Sequence, residues 1–407
     1  MAVRGLRGED HRVSGAPEVS FRWVDSDEGL ETVINSVVGC DRYAIDTEFH
    51  RERTYFPALA LIQIGWKDSI ALIDPTVVDI SPLRRLFQSE VEAVFHAAQQ
   101  DLDVLSHAVG EIPRRLFDTQ IAGGFAGYGT PSLAALVNAE LKIPLAKGDR
   151  LTDWLRRPLT EAQQRYAAVD VAHLLDVQDR LLAKLERSGR AEWVREACEE
   201  LRLRGQQQQQ PEDAWLRLKD ARGLKDRGRA VAQAVAEWRE RRAMQLNIPV
   251  RQVIPDLAIL GIAQRQPSTE EELSQARGVD GRATRGSVAR DILEAVARGR
   301  TANPPEVPTG GDELERDVRP AVTLVSAWVA QVARDEGIDA AMLATRADLV
   351  AFLVGDSAAR LAQGWRAELL GDGIRDLISG RAALTFVPAG ANGKPGGLRL
   401  VPSHPVG

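Results

Sequence analysis

The run Gly205-Gln206-Gln207-Gln208-Gln209-Gln210-Pro211 divides this chain into two parts with different apolar periodicities. A polar, low-complexity stretch of this kind buries no apolar surface and reads as a flexible hinge. Before it, short apolar runs of strand character near 21–24, 42–48, 58–65, 69–73 and 93–95 alternate with or precede helical stretches. Those stretches fall near 27–38, 81–87, 101–109, 118–125, 132–139 and a long 161–188. The alternation predicts an α/β domain. The Phe56-Pro57 junction separates the strand near 42–48 from the next one, because a residue before proline is restricted in conformation. Beyond the hinge, Ala230-Val231, Val235-Ala236 with Trp238, and Ile292-Leu293 with Val296 recur at helical spacing and predict an all-α bundle. The expected organisation is a disordered N-terminus over 1–18, an α/β domain over 19–204, a linker over 205–211, a helical domain over 212–299, a second linker over 300–311, another helical domain over 312–386, and a flexible Gly- and Pro-rich tail over 387–407.

The chemistry-bearing residues lie before the hinge. Asp46 and Glu48 are two apart at the end of an apolar run, so both carboxylates project from one face of a strand and can reach one metal. Tyr166 and Asp170 are four apart in a stretch that opens on Thr160 as a helix cap, which stacks them on one helix face. Asp101 follows the apolar 91–95 segment and begins a helical pattern, a strand passing into a helix. Hard cations such as Mg²⁺ and Mn²⁺ prefer oxygen ligands, and two of them about 4 Å apart can activate a water and stabilise a phosphodiester's leaving oxygen. An Asp-x-Glu on a strand end is, taken alone, usually a solvated edge; the ordered set carries the reading. His96 and His107 are expected to be structural, since no second His or Cys lies at zinc-ligand spacing. Asp118 reads as the N-cap of the helix that follows it, and Asp103 as an exposed helix-face residue.

With 407 residues the chain exceeds what one core usually serves. No apolar run approaches the roughly 20 residues needed to span a bilayer, and the first twenty residues lack a signal-peptide core. Cys40 and Cys198 are too few for a disulfide framework. These features predict a cytoplasmic protein with no membrane partner. The net charge of −6 conceals local structure: between Trp215 and Arg242, nine Lys or Arg face four Asp or Glu, a patch expected to contact phosphates.

These residues, in this order, resemble the DEDD superfamily of 3′-5′ exonucleases, and specifically the tyrosine branch to which ribonuclease D belongs. The resemblance extends through Ala44 to Phe49, Arg51, Arg53 to Tyr55, Pro57, Leu61-Ile62-Gln63-Ile64, Phe95-His96, Phe117 to Gln120, Thr152-Asp153-Trp154 and Arg157-Pro158-Leu159. It implies a ribonuclease H-like sheet of the DnaQ-like exonuclease type, mixed, with helices on both faces. It also implies two divalent metal ions, Mg²⁺ or Mn²⁺, held by Asp46, Glu48, Asp101 and Asp170, with Asp46 shared between them. Tyr166 then orients the attacking water; a free phenol's pKa of about 10 is too high for an efficient neutral-pH base. The sister branch places a His five residues before the last acid, where this chain has Arg165. Phe49, Arg51 and Tyr55 are expected to hold the terminal nucleotide. The 212–299 region resembles the HRDC domain through Ala214-Trp215, Trp238-Arg239, Ile248-Pro249, Val253 to Asp256 and Leu273, and 312–386 resembles a second, more divergent copy.

The implied activity is 3′-5′ exoribonuclease hydrolysis, releasing nucleoside 5′-monophosphates from transfer RNA precursors and other stable RNA 3′ ends. Only contacts to the 2′-hydroxyl select RNA, so a 3′-5′ exonuclease on single-stranded DNA is the alternative. A catalytically inactive nucleic-acid-binding adaptor is a third reading, and the complete acidic quartet counts against it.

Overall fold

Six strands form one sheet: β1 (Arg22–Val24), β2 (Arg42–His50), β3 (Ala58–Trp66), β4 (Ser69–Ile73), β5 (Glu92–Phe95) and β6 (Leu116–Asp118), in the order β1-β4-β3-β2-β5-β6. The structure, a computed structural model, describes residues 19–145, 152–206, 210–306, 312–389 and 396–403. The sheet is mixed. β2, β3 and β4 run antiparallel to one another in turn, whereas β5 and β6 continue parallel to β2, and β1 lies parallel to β4.

Among the described residues, eight α-helices accompany this sheet: α1 (Asp27–Val38), α2 (Leu83–Phe87), α3 (Gln99–Ala108), α4 (Thr119–Gly123), α5 (Leu133–Leu141), α6 (Glu161–Ala172), α7 (Leu174–Arg187) and α8 (Ala191–Gln206). α1 shows why the local sequence folds this way. Ser26 caps it by accepting from the Gly29 amide, Asp27 and Glu28 sit at the positive end of its dipole, and Leu30, Val33, Ile34 and Val37 form its buried stripe. The period-two alternation of the strands assigns the two faces of the sheet. Tyr43, Ile45, Ile62 and Ile64 pack with the α1 stripe and with Leu102 and Leu105 of α3. Leu61 and Leu72 pack on the other face with Ala167 and Ala168 of α6, and Ala44 with Val171.

The α/β domain differs from the sequence expectation in three places. The single helix expected over 161–188 is two helices, broken at His173, where φ is −116° and ψ 0°. The break lets α6 lie on the sheet through Ala167, Ala168 and Val171 while α7 turns Val177, Leu181 and Leu185 toward Phe117 and Phe125. The short strand β6 and the helix α8 were not anticipated; α8 buries Val194, Ala197, Cys198 and Leu201. α8 also reaches Gln206, into the expected hinge, whose Gln207 to Gln209 lie outside the described residues, as do 1–18.

The first helical domain is built on α9 (Asp226–Leu246), with later helices Asp256–Arg265 and Gly286–Thr301 closing a core around Trp215, Val231, Val235, Ile259 and Ile292. The next region contains helices Asp312–Glu336, Arg346–Leu353 and Asp372–Ile378. It ends in an antiparallel pair, β7 (Ala382–Val387) and β8 (Gly397–Pro402), so the stretch expected to be a flexible tail contributes a strand, and the region is not purely helical. Its core is continuous with that of the α/β domain: Val325, Trp365 and Ile374 belong to one apolar cluster with Phe125, Leu181 and Val194. The Trp193 and Trp365 rings stack at 5.3 Å, and Arg190–Glu336 (2.7 Å), Arg366–Glu200 (2.6 Å) and Arg360–Glu200 (2.9 Å) ring the contact.

Candidate active site

The C-terminal half of β2 carries the first two acids. Pleating points Asp46 and Glu48 toward α6 and Thr47 toward α3. α6 begins at a capping box in which Thr160 and Gln163 satisfy each other's backbone amides, which fixes its register over the sheet. Tyr166 and Asp170 then share its sheet-facing side, and carboxylate oxygens of Asp46, Glu48 and Asp170 lie within 4.8 Å of one another. Asp101 arrives from the other face. β5 pairs with β2 only as far as Ala44–Val94, and the first turn of α3 reaches the length of β2 that β5 leaves uncovered. There the Thr47 hydroxyl donates to Asp101. All five residues line one cavity of about 330 Å³ together with Thr47, Phe49, Ala97, Gln100 and Trp154.

Neighbouring groups hold these elements in place. Asp118 is the expected N-cap, accepting from the Gln120 and Ile121 amides. Its carboxylate also accepts from the amides of Ala97 (3.1 Å) and Ala98 (2.8 Å), tying down the turn that launches α3. His96 bonds Thr119 at 3.0 Å, the structural role expected of it. Ala60 is an extra residue of β3 opposite the Glu48/Phe49 step, a β-bulge at the edge of the cavity. Arg157 donates to the Ala60 carbonyl (2.6 Å) and the Trp154 carbonyl (2.7 Å) while forking onto Asp74 (2.5 and 2.7 Å). That grip seats Trp154 beside Tyr166, with ring centroids 6.0 Å apart. Trp154 was part of the sequence pattern but was not expected at the site; its neighbours in the chain gave no signal of direction.

Burial raises Asp46 well above the usual carboxylate range, and the charges of Asp101, Asp170 and Glu48 raise it further. Burial, and then the charges of Asp170 and Asp101, push Glu48 up to about 8. Burial lifts Asp101 to about 6, against the opposing hydrogen bond from Thr47. Carboxyl groups this close do not all ionise at neutral pH on their own; a cation bound among them would supply the missing charge. The donors are all carboxylate oxygens, with no His or Cys among them, which fits a hard divalent ion.

Of the three side chains expected to hold substrate, only Phe49 lines the cavity. Arg51 is ion-paired with Asp103 on the exposed face of α3, its guanidinium 5.6 Å from the Phe49 ring. Tyr55 points away: its hydroxyl donates to Glu240 of α9 at 2.7 Å, and Arg217 holds the same carboxylate at 2.6 Å. Phe56 stacks flat on His107 at 3.8 Å, and its amide donates to Asn247 at 3.1 Å. The segment after β2 is thus docked on the first helical domain. The basic patch is also less free than its count suggests. Arg217, Arg229, Arg239 and Arg241 pair with Glu240, Asp226, Asp256 and Glu212, and Arg227 is spent on the Arg300 carbonyl.

Residues 21–186 match the 3′-5′ exonuclease family and residues 228–296 the HRDC domain. Ribonuclease D of Acidiphilium cryptum is 37% identical over 369 residues, covering 87% of this chain and 94% of that protein. The chain belongs to the ribonuclease D family. It is a hydrolytic 3′-5′ exoribonuclease of the DEDD fold, a fold that implies divalent metal. Ribonuclease D of Jannaschia sp. is 37% identical over 350 residues, 84% of this chain and 90% of that one. The Escherichia coli RNase D structure, described as that of an exoribonuclease involved in structured RNA processing, matches with a TM-score of 0.80 at 30% identity, covering 89% of this chain and 99% of that one.

Proposed function

We propose that this ribonuclease D-family chain trims RNA 3′ ends with two divalent ions, Mg²⁺ or Mn²⁺, held by Asp46, Glu48, Asp101 and Asp170. The observation that carries the reading is the meeting of the Asp46, Glu48 and Asp170 oxygens within 4.8 Å, in a cavity that Asp101 and Tyr166 also line. Bound there, such ions lower the pKa of a water and stabilise charge on the leaving oxygen. Asp46 would be the shared ligand, Glu48 and Asp170 would complete the set on the nucleophile side, and Asp101 would serve the other side. The Thr47 hydroxyl fixes the Asp101 carboxylate from behind. Tyr166 holds the attacking water by a hydrogen bond and does not deprotonate it, since a phenol keeps its proton at neutral pH.

Trp154 packs against the Tyr166 ring and limits its rotation. Phe49 offers a face on which the last base stacks. Water attacks the terminal phosphorus, the bond to the 3′-oxygen of the penultimate nucleotide breaks, and the phosphate leaves on the 5′-oxygen of the released nucleotide. The product is therefore a nucleoside 5′-monophosphate, and the shortened chain keeps a 3′-hydroxyl.

The substrates we assign are transfer RNA precursors and other stable RNAs in the cytoplasm, in keeping with the structured RNA named for the Escherichia coli relative. No described helix is long and apolar enough to cross a membrane. The reading is tested with 3′-labelled RNA and DNA strands of one sequence, incubated with Mg²⁺. Labelled mononucleotide from RNA in preference to DNA supports it; equal or faster release from DNA assigns the DNA exonuclease reading, and no release from either assigns an inactive adaptor.

A further inference from the structure

Gln63, at the centre of β3, is 0% exposed, and neither its Nε2 nor its Oε1 has a hydrogen-bond partner. Among the described residues it alone has both side-chain polar atoms buried and unmet. Such a group is a standing cost to the fold unless a partner arrives. Register places Gln63 directly opposite Asp46 across the β2–β3 ladder, on the same face of the sheet, with Cβ atoms about 5 Å apart. Its neighbours along β3 on that face are Leu61, packed on Ala167 and Ala168, and Gly65, where a Cβ would meet the Val171 carbonyl at 3.3 Å. Gln63 is therefore closed in beneath α6, on the face of the sheet that also receives Asp170.

We propose that Gln63 is a positioning residue for the metal site, its amide Nε2 donating to the Asp46 carboxylate when that carboxylate holds a cation. The inference rests on the metal-site reading above. The residue type fits the task. A carboxamide supplies a donor without charge, whereas Lys would compete with the cation and Glu would add a further negative group to a cluster already crowded with them. Hydrogen bonds to a ligand carboxylate from behind hold its orientation and set affinity for the ion.

The test uses the full chain without RNA, with Mn²⁺ binding followed calorimetrically for the wild type, Gln63→Leu, Gln63→Met and Asp46→Asn. Both Gln63 variants are expected to keep the wild-type circular dichroism and a metal-free unfolding midpoint at or above that of the wild type, since they remove two unmet polar atoms. Their Mn²⁺ dissociation constants should rise 10- to 100-fold. Gln63→Met preserves side-chain length, so it carries the result if Gln63→Leu does not fold. Wild-type Mn²⁺ affinity in a folded Gln63 variant, with affinity lost in Asp46→Asn, overturns the proposal and leaves the metal site standing. Wild-type affinity in Asp46→Asn overturns the metal-site reading itself.

Discussion

Replacing Arg157 with Met removes the guanidinium that joins the Trp154 loop to the sheet while keeping an unbranched side chain of similar bulk. The Asp74 side chain is 5% exposed and that of Arg157 23%, so the pair is largely shielded from water. Arg157 makes two bonds to Asp74 and one each to the Ala60 and Trp154 carbonyls. Stripping one partner from a buried pair costs about 3–5 kcal/mol, because the remaining charge is left unpaired. Asp74 keeps its bonds from the Thr76 amide and hydroxyl, which places the expected loss near the lower end, about 3 kcal/mol. Hydrogen exchange of the β3 and β4 amides reads this loss locally, without assuming that a multidomain chain unfolds in one step.

The Arg157 and Thr76 bonds hold Asp74 below the usual carboxylate range, against the opposing effect of burial. A depressed folded-state pKa gives stability that is full above the unfolded value, near 3.9, and is lost as pH falls through the folded value. The protection difference between wild type and Arg157→Met should thus be largest at neutral pH and shrink below about pH 4. A loss under about 1 kcal/mol at pH 7, or a difference that does not change with acid, refutes a pair of this strength.

Tyr166→Phe should lower kcat by roughly 10- to 100-fold with little change in RNA affinity, because it removes a water-positioning hydrogen bond and no ligand; single-turnover kinetics check this, and an unchanged rate makes Tyr166 structural. Truncation after Gln206 should yield an aggregating or poorly folded α/β domain, since it strips Val325, Trp365 and Ile374 from the cluster around Phe125 and Val194; a soluble fragment with a wild-type melting profile contradicts this. Tyr55→Phe should leave the KM for a short single strand unchanged while speeding proteolysis of the 51–57 segment, because Tyr55 bonds Glu240 outside the cavity; a raised KM restores it as a substrate contact.

The pairing of Asp46 with Glu48 and of Tyr166 with Asp170 was legible because each rests on local periodicity. Asp46 and Glu48 follow from strand alternation, and Tyr166 and Asp170 from helical spacing behind the Thr160 cap. Asp118 was legible as a cap, but its hold on the Ala97 and Ala98 amides depends on a turn twenty residues away in sequence. The α6/α7 break lies in a stretch with no glycine or proline to mark it, and it follows from packing on two different surfaces. α8 sits where charged residues interleave with its buried positions, and the β7–β8 pair joins segments flanking a Gly- and Pro-rich stretch. Charge counting overstated the unpaired charge of the Trp215–Arg242 patch for the same reason: Arg239 meets Asp256 and Arg241 meets Glu212 only after folding.

The most direct measurement is how mononucleotide release from 3′-labelled RNA depends on divalent metal and on Asp46. Nucleoside 5′-monophosphate is the expected product in Mg²⁺ or Mn²⁺, with no release when the metal is chelated and a rate at least about 10³-fold lower for a correctly folded Asp46→Asn protein. Release that continues in chelator, or at the wild-type rate in Asp46→Asn, contradicts a metal-dependent site built on Asp46.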